Sequence, residues 1–169
     1  NVGGILSGQT VMVTGAAGSI GSEIVRQVAA FKPQTIVLFE MAESPLHDLT
    51  VDLRRAFPEQ RFVPVIADVR NVDMVEEVFE EYRPHVIFHA AAYKHVPLME
   101  DFPPQAILAN VQGSKNVADM AIKYNAKRFV MVSTDKAVNP TNVMGASKRI
   151  AEIYVQSLFL QKVKENKDC

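Results

Sequence analysis

The sequence predicts an α/β fold in which crossover helices cover both faces of a parallel sheet. Two observations lead to this prediction. Short apolar, β-branched runs alternate with longer segments of helical period, which is the pattern of strands joined by helices. The first of these runs passes directly into a glycine-rich turn and then into a helix. Such β-α units make most of a doubly wound domain, for which we expect the strand order 3-2-1-4-5.

Each predicted strand is apolar along its length, which is typical of strands buried on both faces. The strands are expected at residues 10–14, 35–39, 62–66, 85–89 and 128–133. The first helix has an apolar stripe at helical spacing, formed by Ile20, Ile24, Val25, Val28 and Phe31. The third has a similar stripe, formed by Val72, Val75, Val78, Phe79 and Tyr82. Further helices are expected at about 105–124 and about 146–163.

The composition is that of one globular domain spanning 1–169, with 48% hydrophobic and 22% charged residues. The formal net charge of −1, without a basic stripe, argues against nucleic acid as the main partner. The only cysteine, Cys169, is the last residue, which excludes disulfides and fits a reducing, cytoplasmic setting. The sequence contains no run of about 18 apolar residues, the length that a membrane-spanning helix needs. The start at Asn1 resembles neither a signal peptide nor an initiator, so we expect a piece of a longer protein.

A dinucleotide site is predicted where the first strand meets the first helix. The turn there consists of Gly15, Ala16, Ala17, Gly18, Ser19, Ile20 and Gly21. Gly15 would permit the tight turn, Gly18 would let backbone amides approach a pyrophosphate, and Gly21 would let the helix pack on the strand. A structural turn without a ligand is the alternative.

Two acidic residues at strand ends are candidates for the adenosine half of the dinucleotide. Glu40 ends the second strand, where a carboxylate can accept hydrogen bonds from ribose hydroxyls. It would repel a 2′-phosphate, and no arginine lies near it in sequence, so NAD is expected rather than NADP. A solvated strand-end glutamate is the alternative. Asp68, followed by Val69, ends the third strand and either contacts the adenine amine or caps the helix that starts near Asn71.

The end of the fourth strand has small side chains. Ala90, Ala91 and Ala92 follow His89 and would let the backbone lie against the central part of the cofactor. We expect His89 to be a packed strand-end histidine rather than a ligand. Neither it nor His95 has the neighbouring cysteines or acidic cluster that would suggest a metal, so no metal site is predicted.

The region after the fifth strand contains the candidate catalytic groups. In a nicotinamide-binding chain of this architecture a tyrosine normally stands four residues before a lysine, but here Met144 precedes Lys148. A thioether cannot give or take a proton, so one usual acid/base is missing. Thr134, Asp135 and Lys136 form an unusual polar cluster instead. Adjacent residues on a strand point to opposite sides, so Asp135 and Lys136 could serve one substrate only if the backbone turns there.

Residues 15–23, 88–100 and 133–148 together resemble the extended short-chain dehydrogenase/reductases, and the similarity covers essentially the whole chain. The match is strongest to bacterial nucleotide-sugar 4,6-dehydratases of capsule, O-antigen and flagellar glycan synthesis, in the branch where methionine commonly replaces the tyrosine. The resemblance implies a Rossmann fold, an NAD(P) cofactor and a UDP-N-acetylhexosamine substrate, most often UDP-N-acetylglucosamine.

The same resemblance implies that the complete protein has a substrate-binding lobe. The 169 residues alone are therefore expected to catalyse nothing. Apolar surface where the remaining strands belong would favour a homo-oligomer. Proteins of the methionine branch are large and membrane-anchored, so attachment to the inner face of the bacterial membrane would come from segments outside this chain.

The resemblance also implies a role for each polar group. Lys148 would hold the nicotinamide ribose, Thr134 would hydrogen-bond the sugar C4 hydroxyl, and Lys136 would remove the C5 proton if burial or Lys148 depresses its pKa. Asp135, if kept protonated, would donate a proton to the departing C6 hydroxyl. Asn110 would buttress the site beside the cofactor, from the helix before the fifth strand, or would be a plain helix residue.

Several alternatives stay open at the level of sequence. The acceptor of the C4 hydroxyl proton is Lys136, Asp135 or a bound water. A 4-epimerase or a C5-inverting dehydratase would share the fold and the cofactor, but a simple epimerase needs no acid/base pair at C5 and C6. A nucleotide-binding scaffold without turnover is the interpretation from a different class of protein.

Overall fold

The computed structural model describes residues 2–165, apart from the side chain of Val2. Asn1 and the only cysteine, Cys169, lie outside the described residues, so the structure does not bear on the expectation about that cysteine. The elements, in chain order, are α1 (Val2–Leu6), β1 (Thr10–Thr14), α2 (Ser19–Ala29), β2 (Thr35–Glu40), α3 (Glu43–Ala56), β3 (Phe62–Ile66), α4 (Val72–Tyr82), β4 (Val86–His89), α5 (Val96–Asp101), α6 (Pro103–Ala106), a π turn (Ile107–Gln112), α7 (Gly113–Lys123), β5 (Arg128–Met131), a 3-10 turn (Asp135–Ala137) and α8 (Val143–Glu165).

The five strands form one parallel sheet in the order β3-β2-β1-β4-β5. The predicted doubly wound fold of Rossmann type and its strand order are therefore confirmed. β1 is central, and Thr14 at its end is level with Phe39 of β2 and His89 of β4. The connections diverge on the two sides of β1, and open α/β sheets bind ligands at the carboxyl edge where this happens.

Apolar side chains pack against both faces of the sheet. Val11 and Val13 of β1 lie in one core cluster, together with residues of α2 and α3. Met12 lies in the other cluster, with residues of α4 and α7. Successive residues of a strand point to opposite faces, so β1 is buried on both sides, as parallel strands between two helical layers must be.

The predicted helical stripes are wrong at three positions, because Ile20, Phe31 and Val72 are exposed. Phe31 follows the end of α2, and Val72 is the first residue of α4. Residues at these helix ends lie beyond the part of the helix that packs on the sheet. Ile20 lies in the first turn of α2, above the carboxyl edge of the sheet, and belongs to the candidate site described below.

Other elements differ from the predictions at their ends. β5 stops at Met131, and α8 begins earlier than expected, at Val143. The short helices α1 and α5 were not predicted, although Pro97 in the first turn of α5 is a helix-start signal. No helix within residues 2–165 is long and apolar enough to cross a lipid bilayer.

The expected helix at about 105–124 is divided by the π turn at Ile107–Gln112. Such turns insert extra backbone into a helix and often occur at functional sites. Directly after it, a Cβ on Gly113 would lie 2.7 Å from Cγ2 of Val69. The start of α7 therefore packs closely against the loop that follows β3.

Glycine lets α2 sit directly on the end of β1. Gly15 has a φ of 64°, in the left-handed region that favours glycine. A Cβ on Gly21 would lie only 2.0 Å from the carbonyl oxygen of Gly15. The first turn of the helix thus contacts the backbone of the preceding turn, which is the packing role predicted for Gly21.

Replacing Gly21 with alanine is expected to lower the free energy of unfolding by about 2 kcal/mol, since overpacking typically costs about 1–3 kcal/mol. The atoms nearest to the added Cβ are backbone atoms, which cannot swing aside. Urea denaturation of the two proteins measures the difference. Gly4→Ala is the matched control, because nothing lies within 4 Å of a Cβ at Gly4. An unchanged midpoint for Gly21→Ala would contradict the close packing.

Candidate active site

A cleft of about 320 Å³ opens at the carboxyl edge of the sheet. The glycine turn and the segments after β2, β3 and β4 line it. The predicted cofactor-binding residues found in its walls are Gly15, Gly18, Glu40, Asp68, Val69, Ala90, Ala91 and Ala92. The sheet therefore brings together residues that lie far apart in the sequence.

The floor of this cleft is main chain. A Cβ on Gly15 would lie 2.8 Å from the backbone N and Cα of Ala91, so the glycine turn rests directly on the segment after β4. The N–H of Gly18 closes the turn by donating to the carbonyl oxygen of Gly15 at 3.0 Å. The side chains of the segment after β4 that border this floor are the methyl groups of Ala90, Ala91 and Ala92, which leave room for a flat or extended ligand.

The N-terminus of α2 lies at the mouth of the cleft. Gly18 is its N-cap residue, and no side chain caps the helix. The first-turn N–H groups point out of a helix end that carries partial positive charge, which suits an anion such as a pyrophosphate. Ser19 and Ile20 of this turn are exposed, whereas the N–H of Ala17 donates to Oε2 of Glu40 at 3.2 Å.

Glu40 is fixed in the cleft wall. Besides the bond from Ala17, its Oε1 accepts the backbone N–H groups of Met41 at 2.9 Å and Ala42 at 3.0 Å. The alternative of a solvated strand-end glutamate is therefore wrong. Carboxylate oxygens offer about four acceptor sites in all, so the group keeps capacity for a ribose hydroxyl.

Asp68 does not cap the following helix. Asn71 does so, since its side chain accepts the N–H groups of Asp73 at 3.1 Å and Met74 at 3.2 Å. Asp68 pairs with Arg70, whose Nε and Nη2 donate to Oδ2 at 2.9 and 2.6 Å. This hydrogen bonding holds the pKa of Asp68 below its usual value.

Sequence reasoning missed Arg70. We expected no arginine near Glu40, but the sheet places Arg70 in the walls of the same cleft. Its Nη1 donates to Oε1 of Gln105 at 3.1 Å, so all three side-chain nitrogens are engaged. The spacing of Asp68 and Arg70 in Ala-Asp-Val-Arg was the available signal, because a carboxylate two residues before an arginine can bind it.

A second cleft, of about 290 Å³, continues from the first, and Ala90, Ala92 and Tyr93 line both. The predicted catalytic residues in its walls are Thr134, Lys136, Met144 and Lys148. Ile20 of α2 also lines it, which accounts for an apolar side chain exposed at that position. The glycine turn and the segment after β5 thus border one continuous groove.

Lys148 is not an ordinary solvated lysine. It is only 5% exposed, and its Nζ donates to the carbonyl oxygen of Val132 at 2.7 Å. Burial lowers the pKa of Lys148, and the carboxylate of Glu152 opposes this effect. Glu152 in turn accepts hydrogen bonds from the Ser133 hydroxyl and, at 3.0 Å, from Arg149. The lysine is therefore anchored to the end of β5.

The backbone turns at Asp135–Ala137, and Thr134 caps the turn. Because of this turn the side chains of Asp135 and Lys136 meet, with Nζ 3.3 Å from Oδ1. Two conditions that the expected roles of these residues require are not met. Lys136 is not buried, its side chain being 49% exposed. Asp135 is not kept protonated, because the hydrogen bond from Thr134 and then the charge of Lys136 hold the pKa of Asp135 below its usual value.

Met144 occupies an apolar position. It is buried in a cluster with Met99 and Ala106, and Tyr93 and Val96 pack against this cluster. The position of the usual tyrosine is thus filled by a packing residue that offers no proton. Groups in this cleft that can exchange a proton include those of the 3-10 turn, Lys148 and the phenol of Tyr93.

Asn110 does not face the cleft. Its buried amide accepts the N–H of Tyr93 at 2.8 Å, and donates to the carbonyl oxygen of Tyr93 at 3.0 Å and to Oγ of Ser147 at 2.9 Å. Oγ of Ser147 donates to the carbonyl oxygen of Met144 at 2.7 Å. The side chain is enclosed and its polar atoms are bound within the protein, which is the arrangement of a buttress rather than of a residue that lines the cofactor cleft. Asn110 instead ties the loop after β4 to α8.

A buried chain of hydrogen bonds runs beside Asn110. Oγ of Ser114 donates its single proton to the carbonyl oxygen of Asn110 at 2.7 Å, so it accepts from Nε2 of His89 at 2.9 Å. The neutral ring then accepts at Nδ1 from Oγ1 of Thr14 at 2.7 Å. That oxygen accepts the N–H of Ala91 at 3.3 Å. His89 is the packed strand-end histidine that the sequence predicts.

Residues 11–168 match the family model of polysaccharide biosynthesis proteins. The chain belongs to this family. The capsular polysaccharide biosynthesis protein CapD of Staphylococcus aureus is 53% identical over 154 residues, which cover 90% of the chain and 26% of CapD. A UDP-glucose 4-epimerase of Rickettsia canadensis is 38% identical over 153 residues, covering 85% of the chain and 42% of the relative. The chain thus spans less than half of these relatives.

Solved structures share the fold of this polysaccharide biosynthesis family member. Pen from Bacillus thuringiensis aligns with a TM-score of 0.86 at 33% identity, over 94% of the chain and 49% of Pen. The enzyme WbmG of Bordetella bronchiseptica, solved in complex with NAD, aligns with a TM-score of 0.76 at 22% identity, over 89% of the chain and 50% of WbmG. The second likeness shows the fold alone.

The stability of this family member should fall in acid because of His89. Burial, reinforced by the charge of Lys148, lowers the pKa of His89 to about 3, whereas an unfolded histidine titrates near about 6.5. Between these values the unfolded state binds more protons. The free energy of unfolding should therefore decrease from pH about 6.5 downward, by at most about 1.4 kcal/mol per pH unit from this group.

Urea denaturation at a series of pH values between about 7 and about 5 measures this slope, in a window above most carboxyl titrations. His89→Gln should flatten the slope, whatever its effect on absolute stability. His47→Gln is the matched control, because His47 is exposed on α3. A slope that persists in His89→Gln would contradict the assignment.

Proposed function

We propose that the complete protein is an NAD-dependent nucleotide-sugar 4,6-dehydratase in bacterial surface polysaccharide synthesis. Its substrate would be a UDP-N-acetylhexosamine, with UDP-N-acetylglucosamine as the first choice, handled on the cytoplasmic side of the membrane. The observation that carries the proposal is the turn at residues 134–136. Thr134 and Lys136 line the second cleft together with Lys148. The Asp135 carboxylate lies 3.3 Å from Nζ of Lys136. The similarity to CapD supports the polysaccharide context.

The chain offers a site that fits NAD along the two joined clefts. The glycine turn and the uncapped start of α2 suit a pyrophosphate. Glu40 suits a ribose with free hydroxyls and disfavours a 2′-phosphate. Lys148 lies where a nicotinamide ribose could be held. When bound, NAD would supply the hydride acceptor for C4 of the sugar and the hydride donor for C6.

Asp135 is the candidate that we favour as acceptor of the C4 hydroxyl proton. Oγ1 of Thr134 donates to Oδ1 of Asp135 at 3.0 Å. A sugar hydroxyl that donates to Thr134 could therefore pass its proton on to the ionised carboxylate. The protonated carboxyl can then donate this proton to the C6 hydroxyl, which leaves as water. The proton lost from O4 thus departs with the C6 oxygen, and the side chain returns to its initial state.

Lys136 would handle the C5 proton. Once C4 is a ketone, this proton is acidic, and a neutral amine can remove it and later return it to C5. The amine must first lose its own proton.

A UDP-sugar 4-epimerase is the second candidate. The identity of 38% to the Rickettsia canadensis protein favours it. Both reactions begin with oxidation at C4 and use the same fold and cofactor. They differ at C5 and C6, where an epimerase leaves the hydrogen and the hydroxyl in place.

Proton NMR of the full-length protein with UDP-N-acetylglucosamine and NAD in deuterated water tests the proposal. We expect a new C6 methyl signal and deuterium at C5, because the C5 proton is exchanged during the reaction. An intact sugar with an inverted C4 would identify an epimerase. No change in the sugar would overturn the proposed substrate and favour a nucleotide-binding protein without turnover.

Lys136→Ala in the full-length protein should lower the dehydration rate by about 10²–10⁴-fold, the usual contribution of a positioned general base. Oxidation at C4 does not need Lys136, so a transient NADH absorbance should persist. Lys127→Ala is the control, since this exposed lysine binds Gln9, outside both clefts. Full dehydration by Lys136→Ala would contradict its role as base.

A further inference from the structure

The loop that follows β3 holds an ion pair in the wall of the first cleft. Asp68 and Arg70 stand next to Glu40 there, in the part of the groove proposed for the adenosine half of NAD. The pair is only partly buried, with side-chain exposures of 24% for Asp68 and 29% for Arg70. Ion pairs at such sites contribute little to stability. Stability alone therefore does not explain why several elements hold this ion pair in place.

Both oxygens of the Asp68 carboxylate are fixed by Arg70. Oδ1 accepts the backbone N–H of Arg70 at 2.9 Å and its Nε at 3.0 Å. Oδ2 accepts the same Nε–H at 2.9 Å and an Nη2–H at 2.6 Å. Three N–H groups therefore bind the carboxylate, and one of its about four acceptor sites stays available. A planar guanidinium that binds both oxygens sets the plane of the carboxylate, which a lysine could not do.

The guanidinium is itself held from a second element. Its Nη1 donates to Oε1 of Gln105, which belongs to α6. Because α6 packs on α8, the adenosine side of the cleft is linked to the helix that carries Lys148. The same contact engages the third side-chain nitrogen of Arg70, although Nη1 and Nη2 each keep a second N–H.

The backbone of the loop is fixed from a third element. The buried Asn116 of α7 donates its Nδ2 to the carbonyl oxygen of Val69 at 2.8 Å and shares it with that of Arg70 at 3.4 Å. Gly113 allows α7 to approach Val69 closely. Side chains of α6 and α7 thus act with Arg70 to hold Asp68 in one orientation before any ligand arrives.

We infer that Arg70, tethered by Gln105, is a positioning residue that aims the Asp68 carboxylate at the 6-amino group of adenine and makes the cofactor site selective for that base. The inference rests on the proposed NAD site. A carboxylate accepts hydrogen bonds from an amino group but repels a carbonyl oxygen at the same position. A fixed carboxylate enforces this discrimination, because it cannot turn away from the wrong base.

The test compares NAD with nicotinamide hypoxanthine dinucleotide, which has a carbonyl in place of the 6-amino group. Dissociation constants for the full-length protein are measured by isothermal titration calorimetry. The wild-type protein should bind the hypoxanthine analogue at least about tenfold more weakly than NAD, since one hydrogen bond to a charged group contributes roughly that factor. Asp68→Asn should abolish most of this difference.

Arg70→Gln should weaken NAD binding while leaving the analogue almost unaffected, so that the ratio of the two dissociation constants falls toward one. Gln105→Ala removes only the tether and keeps the ion pair, so it should reduce the ratio less than Arg70→Gln does. It serves as the second test if Arg70→Gln does not fold. Arg54→Gln, an exposed position on α3, is the matched control and should keep the wild-type ratio.

Two results would overturn the inference alone: a wild-type protein that binds both dinucleotides equally, or an Arg70→Gln variant that weakens both by the same factor. The second result would mean that Arg70 merely supports the loop. A wild-type protein that binds neither dinucleotide would overturn the proposed cofactor site, and the inference with it.

Discussion

Both halves of the groove depend on one buried chain of hydrogen bonds. It runs from Ala91 through Thr14, His89 and Ser114 to the backbone of Asn110, and the donor count fixes its direction. The chain requires a neutral imidazole with its proton on Nε2. Within residues 2–165 no buried side-chain nitrogen or oxygen lacks a partner. Removing one member would leave a buried polar atom without its partner, which costs more than the bond itself contributes.

Asn110 extends this support from the sheet to the catalytic segment. Its amide holds the backbone of Tyr93, which lines both clefts, and Oγ of Ser147, which precedes Lys148. The glycine turn, the loop after β4 and the start of α8 are therefore parts of one rigid support. The acid/base cluster around Lys136 is different, because it lies exposed on a short turn. The structure thus combines a groove braced by buried hydrogen bonds with candidate catalytic groups that solvent still reaches.

The sequence was sufficient for the sheet and for the position of the groove, because the strand pattern and the glycine turn are local signals. It was insufficient where contacts between distant segments of the chain determine the surroundings of a side chain. Arg70 lines the same cleft as Glu40 only because β3 lies beside β2, and Asn110 is enclosed only because α8 packs over it. The protonation of Asp135 could not be inferred either. That state depends on hydrogen bonds from Thr134 and Lys136, which form only once the backbone turns.

The contact between Gly15 and Ala91 has a consequence for how such a groove can evolve. Where two stretches of main chain touch, no substitution can widen or reshape the floor, and a larger residue at Gly15 would force the strands apart. Selection for a new cofactor can therefore act only on side chains at the rim, such as Glu40, Asp68 and Arg70. Lineages that diverge in the sugar they use would keep the floor unchanged, and their differences would accumulate around it.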